Sequence, residues 1–312
     1  MRRACPFPYL RMAVLLLPFL ICLGSCKSYD EQRNELPDNA YKGTIRISAD
    51  ESFKPIIDEQ VKVYKSQHTK TDIIVDYKSE AECLKDLPND SVRMVIVTRA
   101  ASEDEKNFIA DTLRKKLKSM TIALDAVAVI VHPDAPDSLF TFQELREILN
   151  GKHKKKLIPV FDGVKATSAV RFCIDSVLRG DSLTPEAMAA RSSEGVIDYV
   201  SKNPDVVGFI GISWIGNPED PSQMSFLKKV RVASLESTDN PGKYVKAYQA
   251  NIYLKRYPLV RDLVYILKEN YRGLGTAFAN FMSGETGQKI FRRAYLVPAK
   301  KNFGIRPVKL KE

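Results

Sequence analysis

Small hydroxyl side chains and cations recur at four places in this sequence: Asp50-Glu51-Ser52-Phe53, Lys78-Ser79, Thr98-Arg99 and Lys165-Ala166-Thr167-Ser168. Each follows a β-rich run and precedes a helical pattern. A helix N-terminus offers unpaired N–H groups and partial positive charge. Such a junction binds anions, the more so with hydroxyls beside it. Each one alone could be ordinary helix capping; four together point to an anion site. Covalent chemistry has less to stand on. His68, His132 and His153 are the only histidines, and none neighbours a nucleophile or a metal-ligand motif. The reading is therefore a binding protein and not an enzyme, with no catalytic residue, cofactor or metal. Asp125 lies inside the apolar run 120–131, MTIALDAVAVIV. A buried acid needs a partner, so Asp125 either pins a hinge or accepts a hydrogen bond from a ligand. Trp214 reads as packing at a strand end.

The elements that would position these groups alternate between β and α periods, the signature of an α/β fold. Strands are expected at 44–48 (TIRIS), 72–77, 93–97, 120–131, 157–161, 206–212 (VVGFIGI), 230–235 and 244–254. Helices are expected at 53–67, 80–87, 103–118, 141–150, 168–179, 185–190, 193–203, 262–271, 276–283 and 287–295. Thr141 and Glu144 have the spacing of a capping box, and Gly151 is placed to stop that helix.

The first residues read as an export signal. Arg2, Arg3 and Arg11 precede AVLLLPFLICL at 13–23, which is too short to span a bilayer, a task needing about 20 residues. Leu23-Gly24-Ser25-Cys26 resembles a lipobox, in which the cysteine is acylated and becomes the new N-terminus. Residues 1–25 are then the signal, and 26–42 a lipid-anchored flexible tether, since 27–40 is polar and has no apolar period. Losing Arg2, Arg3 and Arg11 lowers the formal charge from +10 to +7. A basic surface suits an anionic ligand. The runs RKKLK at 114–118, KHKKK at 152–156 and the lysines at 309–311 carry no interleaved aromatics, and nucleic-acid binding is not expected. Cys83 and Cys173, far apart in sequence, are expected as buried thiols, with a single disulfide the alternative.

The order of motifs resembles the PstS-like periplasmic phosphate-binding proteins of ABC transporters. SADESFKPIIDE (48–59) resembles the first strand and ligand loop, VTRAASEDE (97–105) the second, and LDAVAVIVHP (124–133) the crossover strand. FTFQELREILNGK (140–152) is similar to the helix that follows. NPDVVGFIGISWI (203–215) resembles a segment usually written Asn-Pro-Gly-Ala-Ile-Gly-Tyr, and YPLVRDLVYIL and FANFMSGETGQKIF complete the order. The resemblance implies a two-lobed type II periplasmic-binding-protein fold, with two crossover strands and a ligand cleft between the lobes. Lobe 1 would comprise 43–124, and lobe 2 125–243. Residues 244–312 would form the return crossover and the rest of lobe 1.

The resemblance also implies capture of phosphate or a related oxyanion for an ABC permease by a monomer exported to the periplasmic or cell-surface face. Ser52, Thr98, Thr167 and Ser168 would donate through hydroxyl or backbone N–H, Phe53 through its backbone, and Arg99 would supply charge, with Arg171 a further candidate. Some positions depart from the pattern. Thr167-Ser168-Ala169 stands where Ser-Gly-Thr is usual, and no arginine shortly precedes it. Asp50, Glu51, Glu80 and Glu82 bring four acids to the ligand loops. One could accept a proton from a monohydrogen anion; four in a dry cleft would oppose a dianion. The alternative is a surface lipoprotein of the same fold that binds another small ligand or a protein partner.

Overall fold

The computed structural model describes residues 37–163, 167–217 and 219–299. The expected signal at 1–25, Cys26, the tether up to residue 36, Lys165, Ala166 and the lysines at 309–311 lie outside them. The chain opens with β1 (Lys42–Asp50), a 3-10 turn (Glu51–Phe53), α1 (Lys54–Gln67), β2 (Lys70–Lys78), α2 (Glu80–Lys85), β3 (Val92–Val97) and α3 (Glu103–Leu113). β4 (Lys118–Val131) leads to β5 (Leu139–Phe140), α4 (Phe142–Leu149), β6 (Ile158–Phe161) and α5 (Ser168–Phe172), which continues into a π turn (Cys173–Val177). Next come β7 (Met188–Ala189), α6 (Ser193–Val200), β8 (Val206–Gly211), a 3-10 turn (Ile212–Trp214), α7 (Pro221–Lys229), β9 (Arg231–Val232), β10 (Ser234–Glu236), β11 (Tyr244–Val245) and α8 (Gln249–Tyr253). β12 (Val260–Leu267) then returns to α9 (Leu274–Ser283), α10 (Glu285–Arg293) and β13 (Val297–Pro298).

The main sheet runs β2-β1-β3-β12-β4-β8-β6-β7. β1 pairs in parallel with β2 and β3, and β8 in parallel with β6, so each half of the sheet is built from βα units. β4 belongs to both halves. Its residues Lys118 to Ala126 pair with β12, and Val127 to Val131 pair with β8. β4 and β12 are thus the two crossovers, antiparallel and in mutual register. β1, β3, β6 and β8 end at Asp50, Val97, Phe161 and Gly211, and the loops after them face one another. Ligands of open α/β sheets sit beyond such carboxyl ends.

Local signals that need only near neighbours behave as expected. Thr141 Oγ1 accepts from Glu144 N at 3.1 Å while the Glu144 carboxylate accepts from Thr141 N at 2.8 Å, completing the capping box. Gly151 takes φ +76°, the left-handed conformation that glycine reaches without strain. Cys83 and Cys173 are free, buried thiols; burial pushes Cys173 up to about 12. No helix among the described residues is long and apolar enough to cross a membrane.

Three expected elements are corrected. Residues 262–271 were expected as helix, but Asp262 to Leu267 belong to β12. That strand is flanked by β3 and β4, and its last five residues are all buried. A strand covered on both faces reads as a continuous apolar run, which periodicity cannot tell from a helix. Residues 244–254, expected as strand, are β11 followed by α8. Residues 185–190, expected as helix, are a turn and then β7, held on the sheet edge by β6. The tether reading also needs correction at its end. Asp38 and Asn39 are buried, and Asp38 accepts from Leu274 N at 2.7 Å and from Tyr271 Oη at 2.8 Å and pairs with Arg93. Asp38 therefore docks at the N-terminal ends of α9 and β3, the end of the sheet remote from the facing loops.

Candidate functional site

The facing loops meet through side chains. Ser52, fully buried after β1, donates its N–H to Asp50 Oδ1 at 2.9 Å. Its hydroxyl lies 3.2 Å from Asp162 Oδ2 and 3.4 Å from Ser168 Oγ, both reached from the end of β6. Ser213 Oγ, after β8, donates to the Ser52 carbonyl at 2.9 Å. This approach needs Gly211: a Cβ there would stand 3.0 Å from the Ser52 carbonyl oxygen. Beside it, Ser193 Oγ at the start of α6 donates to Glu51 Oε2 at 2.9 Å.

A second bridge lies alongside. Arg171, in α5, donates from Nε to Glu80 Oε2 and from Nη2 to Thr98 Oγ1, both at 2.5 Å. Glu80 Oε1 accepts the Thr98 N–H at 2.9 Å. Burial alone would raise the Glu80 carboxyl, but the hydrogen bonds from Arg171 and Thr98 hold it below the usual range. Of the other expected residues, Phe53 is fully buried. Thr167 caps α5 through Val170 N at 3.3 Å and lines a cavity of about 550 Å³ with Asp50, Glu51, Ser79, Asp162 and Arg191. That volume is in the range of small-ligand pockets, about 300–1,000 Å³. Arg99 does not join the cluster. It is held bidentate by Glu105 at 2.7 and 2.8 Å, because the acid-rich first turn of α3 is nearer than the cleft.

The four acids have different fates. Glu82 closes a capping box with Ser79 and is an exposed residue lining the same cavity, and Glu80 is neutralised by Arg171. Asp50 and Glu51 remain. Burial, reinforced by the Asp162 carboxylate, pushes them up to about 6 and about 7. Both shifts are upward, so the folded chain holds these protons more tightly than the unfolded one. The stability they contribute is fully present below the ordinary carboxylate values of about 4 and is lost as pH rises through 6 and 7. Urea midpoints measured from pH 4.5 to 8 are expected to fall across this window, and Asp50→Asn with Glu51→Gln should flatten the slope. An unchanged slope in that variant would assign the dependence to other groups.

Beneath the loops the crossovers carry a buried ion pair. Arg261 on β12 and Asp125 on β4 are register partners. Arg261 Nε donates to Asp125 Oδ2 at 2.7 Å, with the two side chains 2% and 0% exposed. Asp125 thus ties the two crossover strands together. Arg261 also donates from Nη1 to Ser168 Oγ at 2.8 Å and lies 5.0 Å over the Phe53 ring.

This arrangement, two half-sheets sharing crossover strands with polar loops closing on each other, has counterparts. Residues 36–285 match the PBP superfamily domain. The chain belongs to the PBP superfamily. Within the superfamily it is similar to the phosphate-binding protein PstS of Borreliella burgdorferi, 22% identical over 89% of this chain and 95% of that protein. PstS of Bacillus subtilis is 21% identical over 89% of each chain. Among solved structures, a Clostridium perfringens protein with bound phosphate matches with a TM-score of 0.68 at 20% identity, covering 83% of this chain and 100% of its own. An ABC-type phosphate transport receptor from Vibrio cholerae matches with a TM-score of 0.60 at 20% identity, covering 81% and 99%. The expected PstS-like resemblance and the two-lobed α/β periplasmic-binding-protein fold are borne out.

Sequence reasoning missed Arg261, Asp162 and Ser193. Asp162 follows the strand at 157–161 directly, a position that marks a ligand loop in this fold. Arg261 carried no such signal.

Proposed function

We propose that this PBP superfamily protein captures inorganic phosphate outside the cytoplasm and presents it to the permease of an ABC importer. The observation that carries this reading is the meeting of Ser52 with Ser168 and of Arg171 with Thr98, from loops of both halves of the sheet, next to the cavity that Thr167 lines. The similarity to PstS along nearly the whole chain supports the same ligand. Hydroxyl and N–H donors with buried cations replace the hydration of a tetrahedral anion, and a cleft carboxylate accepts the hydrogen of a P–OH group. Ser52, Phe53, Thr98, Thr167, Ser168 and Arg171 are the proposed contacts, with Arg99 at the rim. The proposal keeps lobe 1 as 43–124 with the chain beyond 244, and lobe 2 as 125–243. It also keeps a monomer that performs no covalent chemistry and is held to the membrane by lipid on Cys26.

Calorimetric titration of the protein from Lys27, which keeps the docked Asp38, freed of carried-over ligand, tests it. Saturable heat with phosphate and none with sulfate is expected, because sulfate has no hydrogen for the cleft carboxylates. Absence of heat with phosphate would overturn the reading.

A further inference from the structure

We propose that Arg261, reaching up from the return crossover strand, is the cation that binds the anion directly; the inference rests on the phosphate reading above. The cleft loops offer three other arginines: Arg191, which lines the cavity as an exposed residue, and two that are committed. Arg99 is spent on Glu105. Arg171 gives Nε and Nη2 to Glu80, Nη2 also to Thr98, and Nη1 to Asp175. Arg261 is different. Its Nε and Nη1 are fixed by Asp125 and Ser168, while Nη2 is buried without a hydrogen-bond partner. A buried donor of a charged group is costly to leave unmade, and a ligand oxygen is the missing acceptor.

The place of that donor is defined. Nη2 lies close to Gly211, where a Cβ would be 3.3 Å from it and 3.6 Å from Ser52 Cβ. The guanidinium is therefore next to the loop carrying Ser52, and Ser168 Oγ links it to Ser52 Oγ. Asp125, Asp50 and Asp162 are the charged groups that face it. Asp50 Oδ2 and Asp162 Oδ1 are also buried and without partners. One unpartnered donor among unpartnered carboxylate oxygens suits a hydrogen-bearing oxyanion, which both accepts and donates. Arg261 sits on β12 and is fixed to Asp125 on β4, the strand shared by the two halves of the sheet, so its charge is anchored at their junction, and the loops close over an anion already held from below.

The test is phosphate titration of Arg261→Lys and of the double variant Arg261→Gln/Asp125→Asn, with folding checked by circular dichroism. Removing both members of a buried pair is tolerated far better than removing one, so the double variant keeps its fold. Its phosphate affinity is expected to fall at least about 100-fold, and that of Arg261→Lys by about 10-fold, since a charged partner lost from a buried site costs this much. A folded double variant within about threefold of the parent would overturn the assignment while leaving the phosphate reading intact. A parent protein that binds no phosphate would overturn both. A second readout is taken on the parent protein itself. In nitrogen-15 spectra of the parent, the Arg261 Nε–H resonance, identified by its loss in Arg261→Lys, should move on adding phosphate. A resonance that stays in place at saturation would overturn the proposal.

Discussion

Replacing Asp125 by alanine is expected to lower the stability of the fold by about 3–5 kcal/mol. Arg261 is then left in the interior with its charge and without the carboxylate that fixes its Nε. Nothing in water compensates it, because the side chain is 2% exposed. The loss exceeds what the contact itself contributes, since the penalty is the desolvated guanidinium left behind. Urea unfolding followed by tryptophan fluorescence measures it, with Trp214 as the single reporter. A loss under about 1 kcal/mol would show that Arg261 finds another acid, with Asp50 and Asp162 the candidates that face it.

Alanine at both Thr167 and Ser168 is expected to weaken phosphate binding by at least about 100-fold, as two hydrogen bonds to a charged ligand are each worth about 1.5–3 kcal/mol. The cost to the fold is smaller. Thr167 caps α5, and losing a cap costs about 1 kcal/mol. Ser168 receives Arg261 Nη1, so its loss also frees a donor beneath the site. Titration calorimetry of the folded variant decides the matter, and unchanged affinity would take both residues out of the site.

What could be read in advance depended on how far apart the interacting residues lie. The helix at Phe142–Leu149 declared itself because its capping box spans only Thr141 to Glu144. Ser52 and Ser168 were legible because a hydroxyl at a strand-to-helix junction has the same meaning in any α/β unit. Arg261 was not. Its partner Asp125 is 136 positions away, and its strand was taken for part of a helix. The role of Ser193 depends on Glu51, 142 positions away across the cleft, and no local pattern encodes that meeting. Arg99 misled for the opposite reason: its nearest acid, Glu105, is six residues on and captures it first.

The docking of Asp38 sets how a membrane-held form of this protein would present itself. The chain enters the fold where β1 and β3 begin, while the loops that close on the ligand lie where those strands end. Ten residues, 27–36, separate Cys26 from Pro37. A segment of that length spans at most about 40 Å. With lipid on Cys26, the mouth of the cleft would open away from its own anchorage, towards whatever diffuses in. The body would then have to tip over within that radius to offer its cargo to a channel in the same membrane.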